Sequence, residues 1–112
     1  MNDRNAVEAE YERLWQLCRT LQEQRQELYF RLVDEEVRRV AEERGLTFNG
    51  GVARLPEGTT KKELDALNAL CRKRACARKE YRALCREEDA AWLAYKEAQR
   101  QFFALPSVEV QP

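Results

Sequence analysis

Every glycine in the chain, together with Pro56, falls between positions 45 and 58: Gly45, Gly50, Gly51 and Gly58. Residues 1–44 contain neither glycine nor proline, and neither recurs until Pro106. These are the strongest local interrupters of regular backbone. A chain that crowds them into one window can make two long elements and one connection. The flanking segments are rich in Ala, Leu, Glu, Arg and Gln, which favour helix. The pattern predicts an all-α fold, a long antiparallel two-helix hairpin of coiled-coil type forming a single domain over 1–112. The first helix runs over about residues 5–44, the connector over 45–59, the second helix over about 60–104, and the tail over 105–112. At 1.5 Å per residue each helix measures about 60 Å.

The ends of these segments carry their own signals. Gly45 suits a left-handed cap after Arg44. Thr60-Lys-Lys-Glu63 reads as a capping box, and Pro106 stops the second helix. In the connector, Leu46–Phe48 and Val52–Leu55 flank Asn49-Gly50-Gly51. Asn-Gly favours a tight hairpin turn, because both central residues need positive φ. The expectation is a miniature β-hairpin at the tip of the helical hairpin, or an irregular loop there.

The second helix carries an a/d stripe: Leu67, Leu70, Arg74, Ala77, Tyr81, Leu84, Glu88, Ala91, Tyr95, Ala98, Phe102 and Leu105. The first carries Val7, Tyr11, Leu14, Cys18, Leu21, Arg25, Leu28 and Leu32. Past Tyr29 its apolar residues rotate onto Phe30, Val33, Val37 and Val40. Each helix is therefore apolar over a wider arc than one neighbour covers. Trp15, Phe30, Val33, Val37, Trp92 and Phe103 are left to pack against something else. The simplest cover is a second copy, giving a homodimeric four-helix bundle; a contact with a different protein uses the same residues.

Chemistry is limited by what is missing. There is no histidine, and the one serine is Ser107. Cys18, Cys71, Cys76 and Cys85 include no Cys-x-x-Cys pair, and their helical spacing does not close a tetrahedral metal site. No metal or other cofactor is expected. No glycine-rich phosphate loop is present. These gaps argue against an enzyme and a small-molecule substrate. No segment has the length and apolarity of a membrane span, and the N-terminal residues lack a signal-peptide layout. A cytoplasmic protein with reduced thiols and no membrane contact is expected.

The 20 basic and 20 acidic residues cancel, so any anion binding must come from a local patch. One such patch is "CRKRACARKEYRALCR", residues 71–86. In it Arg74, Arg78, Arg82 and Arg86 stand four apart. Like charges at that spacing repel by a few tenths of a kcal/mol per pair, so the row calls for an anionic counterpart. Glu23 and Glu27 lie level with it if helix-one residue x faces about 105 minus x. They point off the seam, however, which leaves the acidic stripe of a second copy, a larger protein partner, or phosphates. Phe48 and Arg54 at the tip form a second candidate contact, and Phe48 with Leu55 can instead fold back on the helices. In the tail, Val108 and Val110 could add as a strand to a partner's sheet edge. The sequence thus points to a noncatalytic protein–protein interaction module, a small adaptor or inhibitor of a larger protein. A nucleic-acid-binding dimer and a self-assembling structural component are the alternatives.

The order of helix, small β-hairpin and helix resembles the architecture of prefoldin-type chaperone subunits. The likeness is one of layout, and no motif carries it residue by residue.

Overall fold

The computed structural model describes residues 3–49 and 52–106. Helix α1 spans Asp3–Glu43, strand β1 Thr47–Asn49, strand β2 Val52–Arg54, helix α2 Lys61–Cys76 and helix α3 Lys79–Ala104. The chain divides into two compact units: a terminal unit, Met1–Glu23 with Leu84–Pro112, and a central unit, Gln24–Ala83.

The punctuation works as its chemistry requires. Gly45 takes φ +65°. Its N–H bonds to the Glu42 carbonyl at 3.2 Å, and the Leu46 N–H to the Ala41 carbonyl at 2.7 Å. This pair of bonds is a Schellman ending, which satisfies two carbonyls the helix would leave open. The Thr60 hydroxyl accepts the Glu63 N–H at 3.2 Å and so caps α2. Thr60→Ala is expected to lower stability by about 1 kcal/mol, and Thr60→Ser to leave the urea midpoint unchanged. Helix α3 ends at Ala104, two residues before Pro106.

The connector forms the hairpin. Strands β1 and β2 pair antiparallel, with Thr47 opposite Arg54, Phe48 opposite Ala53 and Asn49 opposite Val52. That register puts Asn49 at the end of β1 without positive φ, not at the centre of the turn where an Asn-Gly turn would place it. Gly50 and Gly51 themselves lie outside the described residues, as do Val108 and Val110 of the tail.

The continuous helix expected over about 60–104 is interrupted at Ala77–Arg78. No glycine or proline causes this; the winding changes instead. The Ala77 N–H is shared between the Lys73 and Arg74 carbonyls, at 3.1 and 3.2 Å, and the Arg78 N–H bonds to Ala75, three residues back, at 3.1 Å. Three-residue winding eclipses side chains at i and i+3, so Ala75, Arg78 and Tyr81 come onto one face. Packing agrees. The buried α2 residues are Cys71 and Ala75, each one position beyond the expected Leu70 and Arg74, while Ala77 is exposed. Helix α3 then resumes the expected stripe with Glu88, Ala91 and Ala98 buried. Among the described residues the interruption leaves the Lys79 and Glu80 N–H groups without helical carbonyls, the Glu80 N–H meeting its own carboxylate instead, and a lost backbone bond costs on the order of 1 kcal/mol net. Contacts made by the displaced side chains must offset that.

Each unit has a small core. In the terminal unit Leu14, Cys18 and Leu21 of α1 are buried with Ala91 and Ala98 of α3, and Leu84, Trp92 and Tyr95 pack on the Cys18–Leu21–Ala91 cluster. The segments run antiparallel there, since Tyr11 meets Tyr95 and Phe102 while Trp15 meets Trp92. In the central unit Leu32, Val40 and Ala41 are buried on α1, and Cys71 and Ala75 on α2.

Candidate partner-binding surfaces

The arginine row is not one surface. Arg74 places one guanidinium nitrogen 2.7 and 3.0 Å from the two Glu43 oxygens. Arg78 contacts three carboxylates: Glu35 at 3.1 Å, Glu36 at 3.3 Å and Glu80 at 3.0 Å. Glu36 is a buried acid that also pairs with Arg39 at 3.1 Å. The Arg78 guanidinium holds the Glu80 carboxyl below its ordinary range. Arg82 and Arg86 are exposed, and among the described residues neither has an ion-pair partner. Arg74 and Arg78 of the row find their anionic counterpart within the chain. Its acids are Glu35, Glu36, Glu43 and Glu80, not the Glu23 and Glu27 that simple antiparallel register would bring level.

In the connector, Phe48 is half-buried, with the Arg38 guanidinium 5.2 Å from its ring centre. A cation over an aromatic face is attracted to the ring's negative quadrupole. The ring is thus folded against α1, while Arg54 and Val52 are exposed. Behind the hairpin lies an open apolar groove of about 230 Å³. Its walls include Val37 and Val40 of α1, Leu55, and Leu67 and Cys71 of α2. Val33 and Val37 are half-buried rather than free, whereas Phe30 is 65 % exposed and touches Tyr29 edge-on.

The terminal unit holds a cluster of six aromatic side chains. Tyr11 stacks on Tyr95 and Phe102 at 5.3 and 5.2 Å. Trp15 meets Trp92 edge-on at 6.0 Å, and Tyr95 at 5.4 Å. Phe103 closes one end against Tyr11 and Phe102. The two phenol oxygens of Tyr11 and Tyr95 lie 3.2 Å apart, and this hydrogen bond, with burial, pushes the Tyr95 pKa up. The seam beneath includes the small residues Cys18, Ala91 and Ala98 beside Leu14 and Leu21. Small residues at a seam let helices approach closely, and the rings of Trp15 and Phe103 lie on its flank. There Phe103 is 67 % exposed and Trp15 37 %, and the Arg19 guanidinium sits 5.8 Å over the Trp15 ring.

Leu93, which belongs to neither stripe, is 68 % exposed beside Lys96, Glu97 and Arg100. Its only signal was an apolar residue off the seam in charged company. The four thiols are free. Burial is the main cause raising the pKa of Cys18 and of Cys71, and Glu88 and Glu36 respectively add to it. Among the described residues no group of three Cys, Asp or Glu side chains converges as a metal site, and no helix is long and apolar enough to cross a membrane. Comparison of the chain with protein-family models, curated proteins and solved structures finds no match.

Proposed function

We propose that this chain is a noncatalytic protein–protein interaction module: a small cytosolic helical protein that pairs with a second copy and, as an adaptor or inhibitor, docks on a larger protein. The observation that carries the reading is the aromatic cluster of the terminal unit. Its rings are ordered against one another, yet Trp15 and Phe103 remain open to water. Exposed aromatic groups of this kind are the usual anchors of interfaces. Pairing of two copies across this face and around Phe30 gives a four-helix bundle. The exposed Arg54, Arg82 and Arg86 are then left for the larger partner.

The test is molar mass by light scattering, for the wild type and for a Trp15→Glu/Phe103→Glu double variant, with circular dichroism on both. A wild-type dimer and a helical monomeric variant are expected. A wild type that stays monomeric at every concentration rejects self-pairing, and a variant that stays dimeric rejects this face. Arg82→Glu/Arg86→Glu should lose the larger partner at unchanged dimer mass. Capture that collapses on nuclease treatment would replace the protein partner with nucleic acid.

A further inference from the structure

We propose that residues 67–81 form a two-state joint, in which α2 docks on α1 in either of two helical phases and Arg78 holds the one observed. The sequence supplies apolar residues for both, with one charged residue in the continuous phase. A continuous helix would turn Leu70 and Ala77 inward with Arg74 between them, in the regular a/d stripe that α3 already follows. The interrupted helix turns Cys71 and Ala75 inward instead. The two faces differ by one residue, about 100° of helix rotation, and no glycine or proline imposes the interruption.

What separates the two states is a set of contacts that only one can make. Arg78 and Glu80 are two residues apart, yet they bond through Nε to Oε1 at 3.0 Å and through a terminal nitrogen to Oε2 at 3.4 Å. On a continuous helix, side chains at i and i+2 point away from each other, so this fork exists only where the winding has changed. The same displacement carries Arg78 onto the α1 face, where it meets Glu35 and the buried Glu36. Against these contacts stand the helical bonds that Lys79 and Glu80 do not make. Three-residue winding inside a helical stretch is a recurrent mark of a hinge. An interaction present in one state alone shifts the balance by its full differential strength. Loss of the Glu80 fork therefore moves the joint towards the continuous phase, which swings Cys71 out of the groove wall and Ala77 in.

The native cysteines report this directly. Glu80→Gln and, separately, Arg78→Gln are to be compared with the wild type by thiol alkylation and by amide hydrogen exchange. The expected result is at least about a tenfold faster reaction of Cys71, with Cys18 unchanged and slower exchange at Lys79 and Glu80. If Cys71 is unchanged, or if it quickens while the Lys79 and Glu80 amides also exchange faster, the segment has merely loosened or has not moved, and the joint is rejected. Glu80 is half-exposed, so Glu80→Gln leaves the fold intact and decides the matter should Arg78→Gln fail to fold.

Discussion

Leu32→Ala should lower the unfolding free energy by about 3 kcal/mol, within a range of roughly 2–5. Leu32 has no exposed surface and is, with Cys18, among the largest fully enclosed side chains. Shortening it removes buried methyl groups and leaves a void that rigid helical backbone closes poorly. A chain of this size has about 5–15 kcal/mol in total, so the loss is a large fraction. The urea midpoint should fall with little change in slope. Phe30→Ala, two residues earlier but 65 % exposed, should leave the monomer's midpoint nearly unchanged and weaken only self-pairing. Equal losses at the two positions would contradict the burial described.

Alkylation of the wild type should split its thiols two and two. Cys76 is exposed and Cys85 partly so, whereas Cys18 and Cys71 are buried. A buried thiol reacts only while its surroundings are open, and opening by even 4 kcal/mol slows it about a thousandfold. The raised pKa of both buried thiols slows them further, since the thiolate is the reactive form. Mass spectrometry of a time course should show two fast additions and a long plateau. Three fast additions would place either Cys18 or Cys71 at the surface. Because Cys18 lies in the terminal unit and Cys71 in the central one, the two slow rates measure the opening of each unit separately.

Much of the fold was legible where the governing physics is local. Gly45 needed positive φ and Thr60 offered an oxygen to a helix start. Both act within a few residues, and the structure places each as expected, whereas Asn49, expected inside the turn, stands at the end of β1 opposite Val52. The interruption at Ala77–Arg78 was not legible in that way. It arises because α2 buries Cys71 and Ala75, although Leu70 and Ala77 fit the stripe of α3 equally well by pattern. The contacts that accompany the observed face reach Glu35, Glu36 and Glu43, more than thirty residues away in sequence. The surfaces divided along the same line. Off-seam rings such as Trp15 and Phe103 announced exposure through their spacing. The pairing of Arg74 and Arg78 with particular acids depended on a register that spacing alone does not fix.

The pairing pattern also bears on how the chain is made. Glu43 meets Arg74 across 31 intervening steps of sequence, whereas Arg4 donates to the Pro106 carbonyl across 102. Closing the longer loop costs about 1 kcal/mol more in chain entropy. Within the terminal unit, Tyr11 and Trp15 find their ring partners at Trp92, Tyr95, Phe102 and Phe103. During synthesis at about 5–20 residues per second, the central unit can pack while the chain is still growing. Tyr11 and Trp15 must wait for Trp92, Tyr95 and Phe102 to leave the ribosome. For those seconds the Tyr11 and Trp15 rings lack the partners that order them in the folded terminal unit.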